Sequence, residues 1–268
     1  MLARSPLRRS GPALAVALAA LAFPARSAAQ NDGWCREDGG DRPTHCEMRE
    51  VTLPAGRDLV EVDAAPNGGI DVEGWDRDHV RVVAKVVARA DSEAEARALA
   101  SQVRIDTAGT VHAEGPRTRS PRSWHVSYRL SVPRGVRLDL RSLNGGISLR
   151  DVSGTVDLRT TNGGVSVSRA SGRVTGRTTN GGLDVRLDGT AWDGEGLDLE
   201  TSNGGVTLVV PEDYDAELQT GTVNGGLKLD FPLTVQGRIH RRIEVTLGRG
   251  GAPIRAVTTN GGIRLRRP

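Results

Sequence analysis

Thr161-Asn162-Gly163-Gly164-Val165 and Thr179-Asn180-Gly181-Gly182-Leu183 are two copies of one corner, and Leu143-Asn144-Gly145-Gly146-Ile147 is a third. The interval is 18 residues from Asn144 to Asn162 and again from Asn162 to Asn180. Further copies open at Asn203, Asn224 and Asn260, with an outlying copy at Asn67. A tripeptide recurring at a fixed period marks a repeat architecture, in which each unit buries its apolar side only against its neighbours. Glycine enters positive φ without steric penalty, and asparagine is among the few other residues that tolerate that region. The expectation is a tight left-handed corner at every copy.

Outward from the corner the flanks alternate. Six residues before each Asn stand Leu138, Val156, Val174, Leu197, Leu218 and Ile254; three after it stand Ile147, Val165, Leu183, Val206, Leu227 and Ile263. Each arm is therefore a strand of period two with one apolar side. Asn-Gly is also a hairpin signal, so an antiparallel meander competes with a solenoid of one coil per repeat. The columns favour the solenoid. In a meander, opposed residues need only be compatible. In a solenoid, identical Asn side chains stack about 4.8 Å apart and can hydrogen-bond along the column. The position two before each Asn is nearly uniform too: Ser142, Thr160, Thr178, Thr201, Thr222 and Thr258. Its parity with the aliphatics places it inside. The later intervals, 23, 21 and 36 residues, read as insertions, with Arg249-Gly250-Gly251 as a degenerate turn in the longest.

The expected fold is thus all-β: a repeat-built β-solenoid, right-handed and parallel β-helix-like, over residues 136–268. Ahead of it, residues 51–135 read as a β region with one short helix at 92–103, SEAEARALASQV. Ser92 can cap that helix, with Glu95 three residues on. Asp58–Asp63, His79–Ala88, Arg104–Asp106 and Trp124–Val132 read as strands. RTRSPR at 117–122 is a basic, proline-containing loop.

The N-terminus reads as an address. Arg4, Arg8 and Arg9 precede the apolar run Gly11–Phe23, and small residues lead to an expected cleavage after Ala29. Residues 1–29 are then a signal peptide, too short in their apolar run for a membrane span. No cysteine stands at the cleavage point for lipid attachment. Removal takes four of the 36 basic residues and no acid, leaving 32 basic against 33 acidic groups. So balanced a chain carries no electrostatic footprint for nucleic acid. Residues 30–50 form a polar lead-in holding the only two cysteines, Cys35 and Cys46. In an oxidising compartment such a pair reads as a disulfide, stabilising by roughly 3 kcal/mol on the loop-entropy model.

With its Asn-Gly-Gly repeats, its strand–helix segment and Gly74-Trp75-Asp76, the chain from Val51 onward resembles the DUF4097 family. That family carries an adhesin label and is related to head-domain adhesins of bacterial surface proteins. The resemblance implies an exported β-helix-like protein; it brings no catalytic signature.

The search for chemistry ends without a catalytic residue. Asp139 and Asp157 beside Arg141, Arg159 and Arg177 could form a polyuronide-cleaving or polyanion-binding face, but opposite charges on a solvated sheet explain them more simply. His45, His79, His112, His125 and His240 lie at no ligand spacing, and no calcium nonapeptide repeat or phosphate loop is present, so neither metal nor cofactor is expected. Trp75, Trp124 and Trp192 lie outside the columns. They are the candidate surface contacts for a glycan, or the caps that solenoid ends require. The expected function is an exported, non-catalytic binding or structural module of the periplasm, cell surface or medium. A polysaccharide-active enzyme and a self-assembling scaffold are the alternatives, and envelope glycans or cell-surface proteins the expected partners.

Overall fold

A computed structural model describes residues 33–38, 42–230 and 241–268; the expected signal peptide lies outside them. The strand periodicity read above becomes two sheets of ten strands each. The N-terminal part supplies β1 (Thr44–Leu53), β2 (Leu59–Asp63), β3 (Ile70–Trp75), β4 (Val80–Arg89), α1 (Glu93–Gln102), β5 (Arg104–Asp106), β6 (Val111–Glu114) and β7 (Ser123–Pro133). Each repeat then contributes a long arm before its corner and a short arm after it. The long arms are β8 (Arg137–Asn144), β10 (Thr155–Asn162), β12 (Arg173–Asn180), β14 (Gly196–Asn203), β16 (Ala216–Asn224) and β19 (Pro253–Asn260). The short arms are β9 (Ile147–Arg150), β11 (Val165–Ser168), β13 (Leu183–Arg186), β15 (Val206–Val209), β17 (Leu227–Leu229) and β20 (Ile263–Arg266). One further strand, β18 (Arg242–Leu247), lies between β17 and β19 in sequence.

Long arms stack on long arms in parallel and in register, Asn162 opposite both Asn144 and Asn180. Short arms do the same on the other sheet, Val165 opposite Ile147 and Leu183. The chain is a solenoid. Between the sheets lie the columns read from the sequence: Leu138, Leu140, Ile147, Leu149 and their equivalents are buried in one continuous core. Burying each such side chain stabilises by about 1.5–3 kcal/mol.

The corner itself differs from expectation. None of the Asn-Gly-Gly glycines adopts positive φ, and neither do the asparagines. Glycine is required for closeness instead. A Cβ on Gly163 would lie 2.1 Å from the Gly145 carbonyl oxygen, and one on Gly181 would lie 2.0 Å from that of Gly163. The first glycine of every corner is pressed against the backbone of the coil beside it.

Two hydrogen-bonded ladders hold that approach. Outside, Asn144 Nδ2 donates to Asn67 Oδ1 (2.9 Å), Asn162 to Asn144 (2.7 Å), Asn180 to Asn162 (2.8 Å) and Asn203 to Asn180 (2.9 Å). Inside, the hydroxyl two residues before the Asn donates to the first-glycine carbonyl of the neighbouring coil in five coils: Ser142 to Gly68, Thr160 to Gly145, Thr178 to Gly163 and Thr258 to Gly204, each at 2.8 Å, and Thr201 to Gly181 at 2.7 Å. These buried hydroxyls are therefore satisfied, which burial demands.

The coil order is not the chain order. Asn260 Nδ2 donates to Asn203 Oδ1, and Asn224 Nδ2 donates to Asn260 Oδ1, both at 2.8 Å. The last repeat is inserted between its two predecessors: β16 is flanked by β19 on one side and by antiparallel β18 on the other. Columns of equivalent residues fit either order, so the repeat pattern could not distinguish them. The turn into β19 uses Gly248, Gly250 and Gly251, and here φ is positive.

At the other end the lead-in is more structured than its polarity suggests. Residues 44–50 belong to β1, which pairs antiparallel with β4. Helix α1 starts and ends as read, with Glu95 N–H donating to the Ser92 hydroxyl (3.2 Å) and Val103 closing it. It buries Ala96, Leu99 and Ala100. Arg49 on β1 donates to the carbonyls of Ala100 (2.8 Å) and Val103, so a strand side chain satisfies the helix C-terminus.

Crowding at the corner predicts that Gly163→Ala destabilises by about 3 kcal/mol, because the clashing atom is backbone. Gly226→Ala, with nothing within 4 Å of its added Cβ, should change stability by no more than about 0.5 kcal/mol. Urea midpoints of the two variants compare them directly. Asn162→Ala, which removes one rung and orphans another without relieving any strain, should cost about 1–2 kcal/mol; an unchanged midpoint would dismiss the external ladder as a stabilising element.

Candidate functional site

The outward face of the long-arm sheet carries the acidic and basic columns. In the structure the first two pairs neutralise each other. Arg141 holds Asp139 at 2.5 Å and Arg159 holds Asp157 at 2.6 Å, each pair two residues apart on one strand. The insertion of β19 brings Arg255 next to β14, where it pairs with Asp198 (2.5 Å) and Glu200 (3.5 Å). Elsewhere, hydrogen bonds from Arg81, Arg134 and Arg169, and from the Arg249 backbone N–H, hold Glu50, Asp76, Asp151 and Asp215 below the usual carboxylate range. These are carboxylates stabilised as anions. A general acid needs the opposite shift.

The three tryptophans singled out from sequence do not form a common surface. Trp192 is buried, at 7% exposure, and its indole N–H donates to the Gly172 carbonyl (2.9 Å). That corrects its candidacy as a surface contact: it fills core between coils. Trp124, half-buried, donates to the Pro116 carbonyl (2.8 Å), and half-buried Trp75 donates to that of His79 (3.0 Å). Each indole serves a local loop. The basic loop 117–122 is tied down as well, Arg122 reaching Glu95 on α1 at 3.1 Å.

A different aromatic, passed over in the polar lead-in, does face a recess. Trp34 precedes Cys35, which is joined to Cys46 on β1 with a Cα separation of 5.7 Å. The disulfide sets Trp34 over the short-arm sheet, where Arg129 lies 4.2 Å and Lys85 4.8 Å from the ring centroid. Lys85 also donates to the Trp34 carbonyl at 3.3 Å. Sequence periodicity could not reveal this placement, because the residue acts through a covalent link rather than a column.

From Trp34 a trough of about 610 Å³ runs across β3, β9, β11, β13 and β15. Its floor is the second glycine of each corner: Gly69, Gly146, Gly164, Gly182 and Gly205. Beside the floor stands a polar row from the outward side of the short arms, Ser148, Ser166 and Thr207 with the carboxylates Asp71 and Asp184. A further recess of about 380 Å³ shares Gly205 and Thr207 with it and continues to Gly262 and Gly226.

The floor has an unusual hydrogen-bond state. Its carbonyls are engaged: Ile70 N–H donates to Gly146, Ile147 to Gly164, Val165 to Gly182 and Leu183 to Gly205, each at 2.9 Å. Its N–H groups are not. Only at the first position is a partner present, where Gly69 N–H donates to the Ser127 hydroxyl at 3.2 Å. Ser127 itself lines the trough, so this N–H points into it. Gly146, Gly164, Gly182 and Gly205 occupy the same place in successive coils, and their N–H groups have no acceptor among the described residues.

The profile of the Toastrack DUF4097 family matches residues 50–266. No curated protein sequence matches the chain. Among solved structures, one provisionally named a cell adhesion protein, from Clostridium sporogenes, is similar over 84% of this chain and 100% of its own, at 10% identity and a TM-score of 0.41. One provisionally named an adhesin, from Bacteroides fragilis, is similar over 84% of this chain and 97% of its own, at 11% identity and a TM-score of 0.30. Another of that provisional name, from Parabacteroides distasonis, is similar over 82% and 97%, at 9% identity and a TM-score of 0.32. The family match spans the strand–helix segment, every Asn-Gly-Gly corner and the stacked arms between them, and on that ground the chain belongs to the DUF4097 family, with the Toastrack fold.

Proposed function

We propose that this protein is an exported, non-catalytic binding module of the bacterial cell envelope. The observation that carries the non-catalytic part is the pairing of Asp139 with Arg141 and of Asp157 with Arg159. These are the acids of the charged face that the sequence singles out for polyuronide cleavage. Glycoside cleavage needs one carboxyl protonated and a second free to attack or to activate water. On this face Asp139 and Asp157 are each held by an arginine on the same strand, an arrangement that serves charge balance on a solvated sheet.

Export is supported by the signal-like segment 1–29 and by the Cys35–Cys46 disulfide, since such bonds persist in oxidising compartments. Adhesion, the name given to the solved proteins described above, is the kind of role such a module would serve: a rigid stack presents the same surface at every coil and spaces its contacts regularly.

The reading predicts that the protein made in a bacterial host is recovered outside the cytoplasm with Gln30 as its first residue, read by N-terminal sequencing. It further predicts that the purified protein co-sediments with isolated envelope polymers without degrading them. Failure to bind envelope polymers, cells or surface proteins would overturn the binding role. Turnover of any polyuronide that disappears in Asp157→Ala would replace it with the enzymatic one.

A further inference from the structure

We infer that the glycine-floored trough is a binding site for a neutral linear polysaccharide, laid along the stack and crossing the strands. The inference rests on the binding-module reading above and adds its site and its ligand class. Three observations lead to it.

The first is the row of N–H donors on Gly146, Gly164, Gly182 and Gly205, free of protein acceptors and recurring once per coil, at about 4.8 Å. Backbone N–H groups are obligatory hydrogen-bonding groups, and leaving them unmet by anything but solvent at successive coils is a standing capacity to bind acceptors. The row repeats along one line, so its complement is a polymer with an oxygen at each step, not a compact molecule.

The second is that the floor offers donors only. An added peptide strand needs alternating N–H and C=O groups along the edge it joins. Here every floor carbonyl from Gly146 to Gly205 is already engaged by the neighbouring coil, so the floor does not present the alternating backbone donors and acceptors that strand addition uses.

The third is the rim. Ser148, Ser166 and Thr207 can each donate and accept, while Asp71 and Asp184 only accept. Hydroxyl groups of a sugar match that mixture. The Lys85 and Arg129 cations lie at the Trp34 end; farther along the row a polyanion would place its charge against the Asp184 carboxylate, a like-charge contact that counts against it. Trp34, held in place by the disulfide and by Lys85 and Arg129, closes one end with an apolar wall. At about 610 Å³ the trough is within the size of ligand clefts. An oligosaccharide lying in it would reach one more coil with each added residue or two.

The test is an NMR titration of the purified protein with cellohexaose and with the N-acetylglucosamine hexamer, against polygalacturonate as the anionic probe. The expected result is saturable binding of at least one neutral hexamer, with shifts centred on the amides of Gly146, Gly164, Gly182 and Gly205. The hexamer should bind at least about tenfold more tightly than the matching dimer. Ser166→Arg, an outward change on β11 that fills the trough, should weaken hexamer binding by at least about tenfold while the urea midpoint stays in place, and Ser166→Thr should preserve binding. Unchanged hexamer affinity in Ser166→Arg, or shifts away from the glycine row, would overturn the site and leave the binding-module reading standing. Binding of polygalacturonate but of neither neutral hexamer would overturn the ligand class. Binding of none of the three would overturn this inference, and the envelope co-sedimentation decides separately whether the module reading falls with it.

Discussion

At every corner from Asn144 onward the backbone of one coil touches the backbone of the next, with a first-glycine carbonyl occupying the space where a neighbour's Cβ would be. Most features of the chain follow from that contact. It demands glycine at one position per coil, whatever the φ. It brings the preceding Thr hydroxyl within reach of the same carbonyl, so a polar column can be buried without an unsatisfied group. It also places the Asn side chains at the spacing their amides need to donate from one to the next. The aliphatic core supplies the bulk of the burial, but a core of Leu, Val and Ile would accept other registers. The corner allows one.

That contact also explains why the same turn is both structural and exposed. The first glycine is consumed by packing. The second keeps its carbonyl in the ladder, and from Gly146 to Gly205 its N–H has no acceptor among the described residues. These solenoid corners thus leave a donor without a protein partner at each of four successive coils. The N-terminal segment, bound by a disulfide rather than by periodicity, closes one end of that row with Trp34.

The charged face behaves in the opposite way. Stacking identical Asp residues or identical Arg residues would set like charges in columns, which is unfavourable. On β8 and β10 Asp and Arg at positions two apart let the strand neutralise itself, and Arg255 on the inserted strand pairs with Asp198 and Glu200. Surface pairs of this kind add little stability. What they remove is the repulsion that a repeat would otherwise build into its own sheet.

Much of this was legible in the residues. Period-two arms identify the strands and their buried side, and the identity of the Asn and Thr columns identifies parallel stacking over hairpins, because only stacked equivalents gain from being the same residue. Ser92 and Glu95 mark the helix start. What the residues could not convey depended on three-dimensional closeness. Positive φ is the usual reason for Gly-Gly, and only the folded coils show that the glycines answer to a neighbouring backbone instead. The placing of Asn260 between Asn203 and Asn224 escaped notice because equivalent columns pack equally well in either order, and the path of the chain through β18 decides between them. Trp192 lies outside the columns, which leaves both a cap and a surface contact open to it, and its position in the core buries it. Trp34 carried no periodic signal, and a covalent bond set it at the end of the trough. Sequence by itself determined the strands, the inward columns and the stacked corner, since these are local or repeat in register. Tertiary structure alone decided coil order, the reason for glycine and the open row of donors, since each depends on which backbone lies against which.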